Sequence, residues 1–219
     1  MKKLLQFSFL AETQEPKILC LGAHPDDIEI GCGGTILRLI EEAPGAQFHW
    51  VVFSGNEKRC EEAYRSANLF LTNVQSKKIE VKSFRDSYFP FIGSEIKDYF
   101  EELKTHVHPD LIFTHYSSDA HQDHRIISEL TWNTFRDHFI LEYEVPKYEG
   151  DLGNPNLFFN LNRSQVEKKI NYLCDAFQTQ KGKKWFNEET FKSILRIRGI
   201  ESNSQSAYAE GFFCRKCVI

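Results

Sequence analysis

The sequence lacks the features that mark several large classes of protein. No apolar run in its 219 residues approaches the roughly 20 needed to cross a bilayer, so no membrane span is predicted. The net charge is −4, and no basic excess favours a nucleic-acid partner. Internal repeats, low-complexity tracts and a convincing linker are also missing. We therefore expect residues 1–219 to form a single domain, with residues 148–219 as a decorated C-terminal part.

A disulfide framework is not evident either, although the chain has six cysteines. Cys20 lies in an apolar run and Cys174 on a predicted helix face, where thiols behave as small hydrophobic groups. Cys214 and Cys217 form a lone CxxC, which without a second pair is more typical of a strand end than of a zinc site. This cysteine usage fits a reducing compartment, and a cytoplasmic location is expected.

The first residues, MKKLLQFSFLAETQE, have some features of a signal peptide. Gln6 and Ser8 interrupt the apolar part, and a clear small-x-small cleavage site is missing. We expect an amphipathic or extended N-terminal segment instead.

Short apolar runs alternate with segments of helical periodicity along most of the chain. Strands are predicted at 17–22, 47–54, 78–84, 110–115 and 140–145, and helices at 33–42, 57–71, 94–106, 121–139, 164–178 and 190–198. Ser94 is the expected N-cap of the third helix. A loop is predicted at 148–157, and an edge strand at 208–218. The alternation predicts an α/β protein with a mostly parallel sheet.

Two polar clusters follow predicted strands directly. AHPDD, at residues 23–27, follows the first strand, and THYSSDAHQDH, at residues 114–124, follows the fourth. Ligands of open α/β sheets bind at the carboxyl ends of the strands. We therefore expect the two clusters to converge in one cleft.

The residue types in these clusters suit a catalytic metal site. Such a zinc site takes about three protein ligands and leaves a position for water. His24 and Asp27 are three residues apart, which brings their side chains to one side of a turn, and His124 is the expected third ligand. Zinc or a similar divalent ion fits this donor set. Asp26 remains free as a candidate general base, and His121 as a group that stabilises developing negative charge.

Each cluster alone has a structural interpretation. His-Pro-Asp after a strand is a common way to begin a helix, and HQDH resembles a solvated helix start. Their joint occurrence at two strand ends favours the metal site. The adjacent Asp26 and Asp27 also repel each other, and a cation would relieve that repulsion.

The glycines in GCGG, residues 31–34, raise the alternative of a dinucleotide site. The segment does not match GxGxxG, and it follows two aspartates that would repel a pyrophosphate. Close packing of a helix on the sheet, or close approach of a substrate, is the preferred interpretation. A dehydrogenase is therefore the most distant alternative.

AHPDDIEIGCGG at 23–34, together with DAHQDHR at 119–125, resembles the LmbE/PIG-L family of zinc-dependent N-acetyl-sugar deacetylases. Both motifs together are highly specific, and the resemblance covers much of the chain. Weaker similarities are Arg59-x-x-Glu62-Ala63, the pair Arg85-Asp86, and residues 208–212 (YAEGF).

The resemblance implies a Rossmann-like sandwich, with helices flanking the sheet, and hydrolysis of the acetamide of a glucosamine-type sugar. His24, Asp27 and His124 would bind one zinc ion, with Asp26 as general base and His121 stabilising the tetrahedral intermediate. Further implied roles concern less specific positions. Substrate contacts would involve Arg59 and Asp86, and groups around the metal would include Glu29, Asp119 and Asp123.

For these weaker positions a structural interpretation stands beside the functional one. Arg59 could equally be a helix-surface residue and Asp86 a turn residue. Glu29 could hydrogen-bond near the metal or cap its helix, and Asp119 and Asp123 could orient a histidine or cap theirs.

The substrate is not fixed by the sequence. Loops 85–92 and 146–159 are expected to line the cleft, where Tyr88, Phe89 and Tyr148 could stack on a sugar or belong to the core. A metal-dependent amidase for a non-sugar amide and a non-catalytic sugar-binding protein remain as rival functions. The sequence leaves the native metal and the oligomeric state open, a homo-oligomer included.

Overall fold

The computed structural model describes residues 15–217 as a seven-stranded sheet with helices on both faces. The strands are β1 Lys17–Gly22, β2 Gln47–Ser54, β3 Lys77–Phe84, β4 Leu111–His115, β5 Ile140–Tyr143, β6 Leu157–Asn160 and β7 Ala209–Phe213. The helices are α1 Asp27–Glu42, α2 Glu57–Phe70, α3 Gly93–His106, α4 Gln122–Thr134, α5 Arg163–Ala176 and α6 Glu188–Glu201. Short 3₁₀ helices lie at Phe89–Phe91 and Gln178–Gln180. The predicted α/β sandwich is confirmed, and the expected N-terminal segment lies mostly outside the described residues.

The strand order is β3-β2-β1-β4-β5-β7-β6. The first five strands are parallel, whereas β7 runs antiparallel to both β5 and β6. The chain extends the sheet from β1 through β2 to β3 and then returns to the other side of β1 through β4. The strand order therefore reverses between β1 and β4, and the carboxyl ends of these neighbouring strands flank the position where open α/β sheets bind ligands.

The core lies in two layers, one on each face of the sheet. Successive side chains of a strand point to opposite faces, so Ile18 and Cys20 pack in one layer and Leu19 and Leu21 in the other. The first layer includes apolar residues of α1, α2, α5 and α6, and the second includes residues of α3 and α4. Burial on both faces explains why the central strands are continuous apolar runs.

The last strands differ from the prediction in two respects. β6 lies at 157–160, where no strand was predicted and residues 157–159 belonged to an expected loop, because four residues give too short a pattern to detect. The segment 208–218 does form a strand, β7, but it lies inside the sheet between β5 and β6 rather than at the edge. Strand order depends on pairing between distant segments, which local patterns do not reveal.

Several helix boundaries also differ from the prediction. α1 begins at Asp27, six residues before the predicted start, so the glycine segment lies inside the helix. α3 begins at Gly93 with Ile92 at the N-cap position, and Ser94 therefore does not cap it. α4 ends at Thr134 rather than 139. Among residues 15–217, no helix combines the length and apolar composition needed to cross a bilayer.

The glycines of α1 allow neighbouring elements to approach closely, as one of the two interpretations predicted. A Cβ on Gly31 would lie 2.1 Å from the ring of Tyr143 on β5. A Cβ on Gly34 would lie 2.4 Å from Leu161 and 2.9 Å from Glu210. Packing against the sheet therefore accounts for these glycines without a bound phosphate.

A buried ion pair joins α1, α5 and β7. Lys169 Nζ donates to Glu210 Oε1 at 2.6 Å and to the carbonyl oxygen of Ile30 at 2.6 Å. Glu210 also accepts from the backbone N–H groups of Gly34 and Thr35, at 2.8 and 2.6 Å. Both charged residues are almost fully buried, with 1% and 3% of their surface exposed. Buried charges persist where their polar atoms are paired in this way.

We predict that Lys169→Met destabilises the fold by about 3–5 kcal/mol, because it leaves the Glu210 carboxylate buried without its cation. Urea unfolding would measure this loss. Lys168→Met is the matched control, since that neighbouring side chain is half-exposed and lies 4.0 Å from Glu41, and exposed pairs contribute about 0–1 kcal/mol. Equal losses in the two variants would contradict a stabilising role for the buried pair.

Candidate functional site

Three predicted metal ligands meet at the carboxyl ends of β1 and β4. His24 lies in the turn between β1 and α1, Asp27 is the first residue of α1, and His124 lies in the first turn of α4. His24 Nδ1 is 3.2 Å from His124 Nε2 and 3.3 Å from Asp27 Oδ2, and the third side of the triangle is 3.4 Å. Residues a hundred positions apart therefore place three donor atoms around one point.

Carboxylates determine which nitrogen of His24 carries a proton. Its Nε2 lies 3.2 Å from an oxygen of Asp123 and 3.2 Å from an oxygen of Asp86. In the neutral ring the proton therefore lies on Nε2, which faces two carboxylates, and the lone pair lies on Nδ1, the atom nearest Asp27 and His124. Burial lowers the pKa of His24, but hydrogen bonds to the surrounding aspartates outweigh it and raise that pKa well above 6.5.

His124 is oriented in the same manner from the opposite side. Its Nδ1 lies 3.0 Å from Asp119 Oδ2, so its Nε2 presents a lone pair to the triangle. Burial, with a contribution from His115, lowers the pKa of His124 to about 4, which keeps the ring neutral.

The three atoms of the triangle are all of types that bind metal ions. When His24 is neutral, two nitrogen lone pairs and one carboxylate oxygen face one point, and either a proton on His24 Nδ1, which its raised pKa favours, or a cation relieves their repulsion. Among the described residues, the groups with suitable spacing for a metal ion overlap here. They are His24/His121/His124, Asp27/His115/His124 and His24/Asp86/Asp123.

His115 is a member of this cluster that the sequence analysis did not single out. It is completely buried, and its Nε2 lies 3.3 Å from Asp27 Oδ2. The same nitrogen accepts a hydrogen bond from the backbone N–H of Ala23 at 2.9 Å, which occupies its lone pair. Its ring stacks on His124 with centroids 3.9 Å apart. As the last residue of β4, it looked like an ordinary strand residue. Its position at the carboxyl end of a strand, where ligands of such sheets bind, could have indicated a place in the site.

Asp26 lies beside the triangle in an uncommon backbone conformation. Its φ is 98°, a left-handed value that is rare for residues other than glycine and occurs often at functional sites. Oδ1 lies 3.2 Å from Arg59 Nη2, whereas the buried Oδ2 has no hydrogen-bond partner. Burial raises the pKa of this carboxyl to about 7, although the Arg59 charge opposes the shift.

The two predicted substrate residues also reach the site. Arg59 is not a helix-surface residue: its side chain is 15% exposed and donates a hydrogen bond to the carbonyl oxygen of Pro25. Asp86 follows β3, and its side chain is 55% exposed beside His24. The hydrogen bond with His24 lowers the pKa of Asp86 well below its usual range.

His121 occupies the N-cap position of α4, where its Nδ1 accepts from the backbone N–H of Asp123 at 3.3 Å. Its ring centroid lies 4.8 Å from that of His24 and 4.7 Å from that of His124. Burial and the nearby His24 lower its pKa.

Asp123 does not cap this helix. Its carboxylate faces His24 and accepts from backbone N–H groups of residues 87 and 89.

Residues 19–135, more than half of the chain, match the family model described as PIG-L: GlcNAc-PI de-N-acetylase. The chain belongs to the PIG-L family. Both polar clusters fall within the matched residues, so the resemblance stated from AHPDD and HQDH is confirmed. Curated relatives include the "Uncharacterized deacetylase YaiS" of Escherichia coli K12, which is 29% identical over 157 residues, or 67% of this chain and 83% of that protein.

Solved structures share the fold across nearly the whole chain. The N,N'-diacetylchitobiose deacetylase from Pyrococcus horikoshii aligns with a TM-score of 0.65 at 20% identity, over 97% of this chain and 94% of that one. GalB, the 4-carboxy-2-hydroxymuconate hydratase from Pseudomonas putida KT2440, aligns with a TM-score of 0.70 at 18% identity, over 93% and 98%. At such identities the likeness shows the fold alone, and these two proteins differ in reaction.

Glu29 of the PIG-L motif lies in the first turn of α1 and is 1% exposed. Burial raises its pKa to about 8, although Ser66 and the backbone of Glu29 itself oppose the shift. Its expected role stays a prediction.

The aromatic residues of the cleft loops divide into two groups. Phe89 is fully buried in the core, as the structural interpretation held. Tyr88 and Tyr148 are 39% and 69% exposed, and the Arg85 guanidinium lies 3.4 Å from the ring centre of Tyr88. Exposed rings therefore stand on both loops expected to line the cleft.

The cysteines of the CxxC are free. Among residues 15–217 they belong to none of the groups whose spacing could hold a metal ion.

We predict that a divalent ion stabilises the folded protein, with Zn²⁺ as the probe. An ion present at a thousand times its Kd raises the free energy of unfolding by about 4 kcal/mol, and this is measurable as a rise in Tm. His24→Ala and His124→Ala should each abolish most of that rise, because each removes a lone pair from the triangle. His106→Ala, at a half-exposed position on α3, is the control. A full rise in Tm in either site variant would exclude that residue as a ligand.

Proposed function

We propose that this protein is a zinc-dependent hydrolase that removes the N-acetyl group from a glucosamine-type sugar or sugar conjugate. The observation that carries the proposal is the triangle of three metal-binding atoms of His24, Asp27 and His124 beside the unpaired Oδ2 of Asp26. A metal ligand set and a buried carboxylate base are the parts that a metal-assisted hydrolysis requires.

The donor set fits zinc in number, chemistry and spacing. Ligand atoms about 2.0–2.1 Å from a tetrahedral zinc ion lie roughly 3.3 Å from each other. The three sides of the triangle are 3.2, 3.3 and 3.4 Å. Two imidazoles and one carboxylate leave a fourth position for water or substrate, as in catalytic rather than structural sites. Another divalent transition metal would suit the same ligands.

His24 is preferred over His115 as the second imidazole ligand. The Nε2 lone pair of His115 is already occupied by the N–H of Ala23, whereas Nδ1 of His24 faces the other two atoms of the triangle. His115 is better suited to hold the turn after β1 in place.

A bound zinc ion would lower the pKa of water and polarise the acetamide carbonyl. Asp26 is the base that takes the proton from the attacking water. Arg59 holds one oxygen of this carboxylate, which leaves the other, unpaired oxygen to accept the proton. Burial, which raises the pKa of this carboxyl, makes it a stronger base for that proton.

His121 would donate from the opposite side of the reacting carbonyl. Its ring lies beside both histidine ligands, and its Nδ1 accepts from the helix N-terminus. Its remaining nitrogen can carry an N–H that donates a hydrogen bond to the oxyanion, while Asp26 passes the proton it took from water to the leaving amine.

The sugar assignment rests on relatives and on the exposed aromatic residues. The family model and the Pyrococcus structure are both described as acting on N-acetylated sugars. Tyr88 and Tyr148 would pack on the faces of a sugar ring, with Arg59 and Asp86 as polar contacts. We further propose that the whole chain acts as one domain. A cytoplasmic location is proposed as well, since the described cysteines are all free.

The deciding experiment measures acetate release from a panel of N-acetylated sugars and of non-sugar acetamides, with and without a chelator. Release from a glucosamine derivative that stops with chelator is the expected result. Release only from non-sugar amides would move the substrate to another class. If protein shown to contain zinc releases no acetate, its function would be sugar binding or a different reaction. The same fold in a hydratase illustrates that the fold supports other reactions.

We predict that Asp26→Asn lowers kcat by on the order of 10² or more while zinc binding is retained, because the amide cannot accept the proton. Steady-state kinetics and metal content would be measured on the same preparations. Asp137→Asn is the control, since that side chain is 92% exposed and far from these contacts. Wild-type turnover in Asp26→Asn would show that this residue is not the base.

A further inference from the structure

One carboxylate serves both histidines that follow β4. Asp119 Oδ2 lies 3.0 Å from His124 Nδ1, and Asp119 Oδ1 accepts from the backbone N–H of His121 at 2.7 Å. Asp119 is 2% exposed. A rotation of this carboxylate would therefore disturb the tautomer of one histidine and the backbone position of the other.

Lys147, in the loop after β5, holds this carboxylate. Its Nζ donates to Asp119 Oδ2 at 2.8 Å, to Asp151 Oδ1 at 2.8 Å and to the carbonyl oxygen of Val145 at 3.3 Å. An ammonium group has three donors, and each has a partner here. The Lys147 side chain is only 9% exposed, so water does not readily replace these partners.

The contacts around Lys147 close into a ring. Asp151 Oδ2 accepts from the backbone N–H of Ala120 at 2.6 Å, and Ala120 follows Asp119 directly. The loop after β5 is thereby fastened to the loop after β4 at two points. The following residue, Tyr148, carries an exposed ring, so the same attachment fixes the backbone next to it.

We propose that Lys147 is a positioning residue of the metal site, which fixes Asp119 so that His124 presents the lone pair of Nε2 to the ion. The inference rests on the proposed function in that it assigns the ligand set to a metal. Without the ammonium group, a buried carboxylate would lose its fixed charge partner and seek other donors. The proton on Nδ1 of His124 would then no longer be held in place.

The test measures zinc affinity by competition with a chromophoric chelator for the wild type, Lys147→Met and Asp151→Asn. Loss of a group that orients a metal ligand typically costs 10–100-fold in affinity, so about tenfold weaker binding is expected for Lys147→Met. Asp151→Asn should change affinity in the same direction by less, because Lys147 keeps its other partners. The visible absorption of bound Co²⁺ should change in Lys147→Met, which reports ligand geometry directly.

Arg215→Met is the matched control. It also removes a positive charge that is paired with a buried carboxylate, Glu142, at 2.8 Å, but it does not contact Asp119 or His124. Zinc affinity and the Co²⁺ spectrum should stay as in the wild type. The Tm of each metal-free variant shows whether it is folded, and Asp151→Asn keeps the test decisive if Lys147→Met does not fold.

Wild-type zinc affinity and an unchanged Co²⁺ spectrum in the folded variants would overturn this inference while leaving the proposed function intact. A lower Tm of the metal-free protein with unchanged affinity would assign Lys147 a structural role only. A wild-type protein that binds no zinc would overturn the proposed function and this inference together.

Discussion

The convergence of three metal-binding atoms is the constraint on which this site depends. His24, Asp27 and His124 direct these atoms at one point, and each atom is 3.2–3.4 Å from the other two. Such an arrangement persists only if the surroundings prevent the side chains from turning away. Asp123 and Asp119 do this by holding the far nitrogen of each imidazole. The charge of the surrounding carboxylates then favours a cation at the centre.

The location of the site follows from the strand order, and here the sequence was informative. Acidic and histidine residues directly after two apolar runs indicated two strand ends, and the alternation of strands and helices indicated a parallel sheet. Those two observations are enough to predict convergence, because the carboxyl ends of parallel strands share one edge. β1 and β4 are indeed adjacent, although adjacency itself was not readable from the chain. The roles given to the converging side chains remain predictions.

Other parts of the structure could not be predicted, because they depend on pairs of residues far apart in sequence. In the sequence, His115 looks like an ordinary strand residue and Lys147 like a charged loop residue. The partners of a buried polar side chain are set by the fold, so the sequence does not reveal them. Lys169 lies on a polar-looking segment of α5, and its pairing with Glu210 inside the core contradicts the usual placement of lysine at the surface. The start of α1 was missed for another reason. Glycine has low intrinsic helix propensity, but tertiary packing overrides it where rings and carboxylates occupy the space of a Cβ.

The contact of Glu210 with α1 has a consequence for the order of folding. Gly34 and Thr35 donate to a carboxylate that lies 176 and 175 positions further along the chain. During synthesis, the helix that begins at Asp27 emerges long before this acceptor does. The first strand and its turn can pair with β2 and β4 early, but α1 gains its final partners only after β7 has been made. Contacts of such long range slow folding, because the loop they close is costly in entropy. The turn that carries His24 and Asp26 therefore leads into a helix whose last contacts form only after β7 has been made.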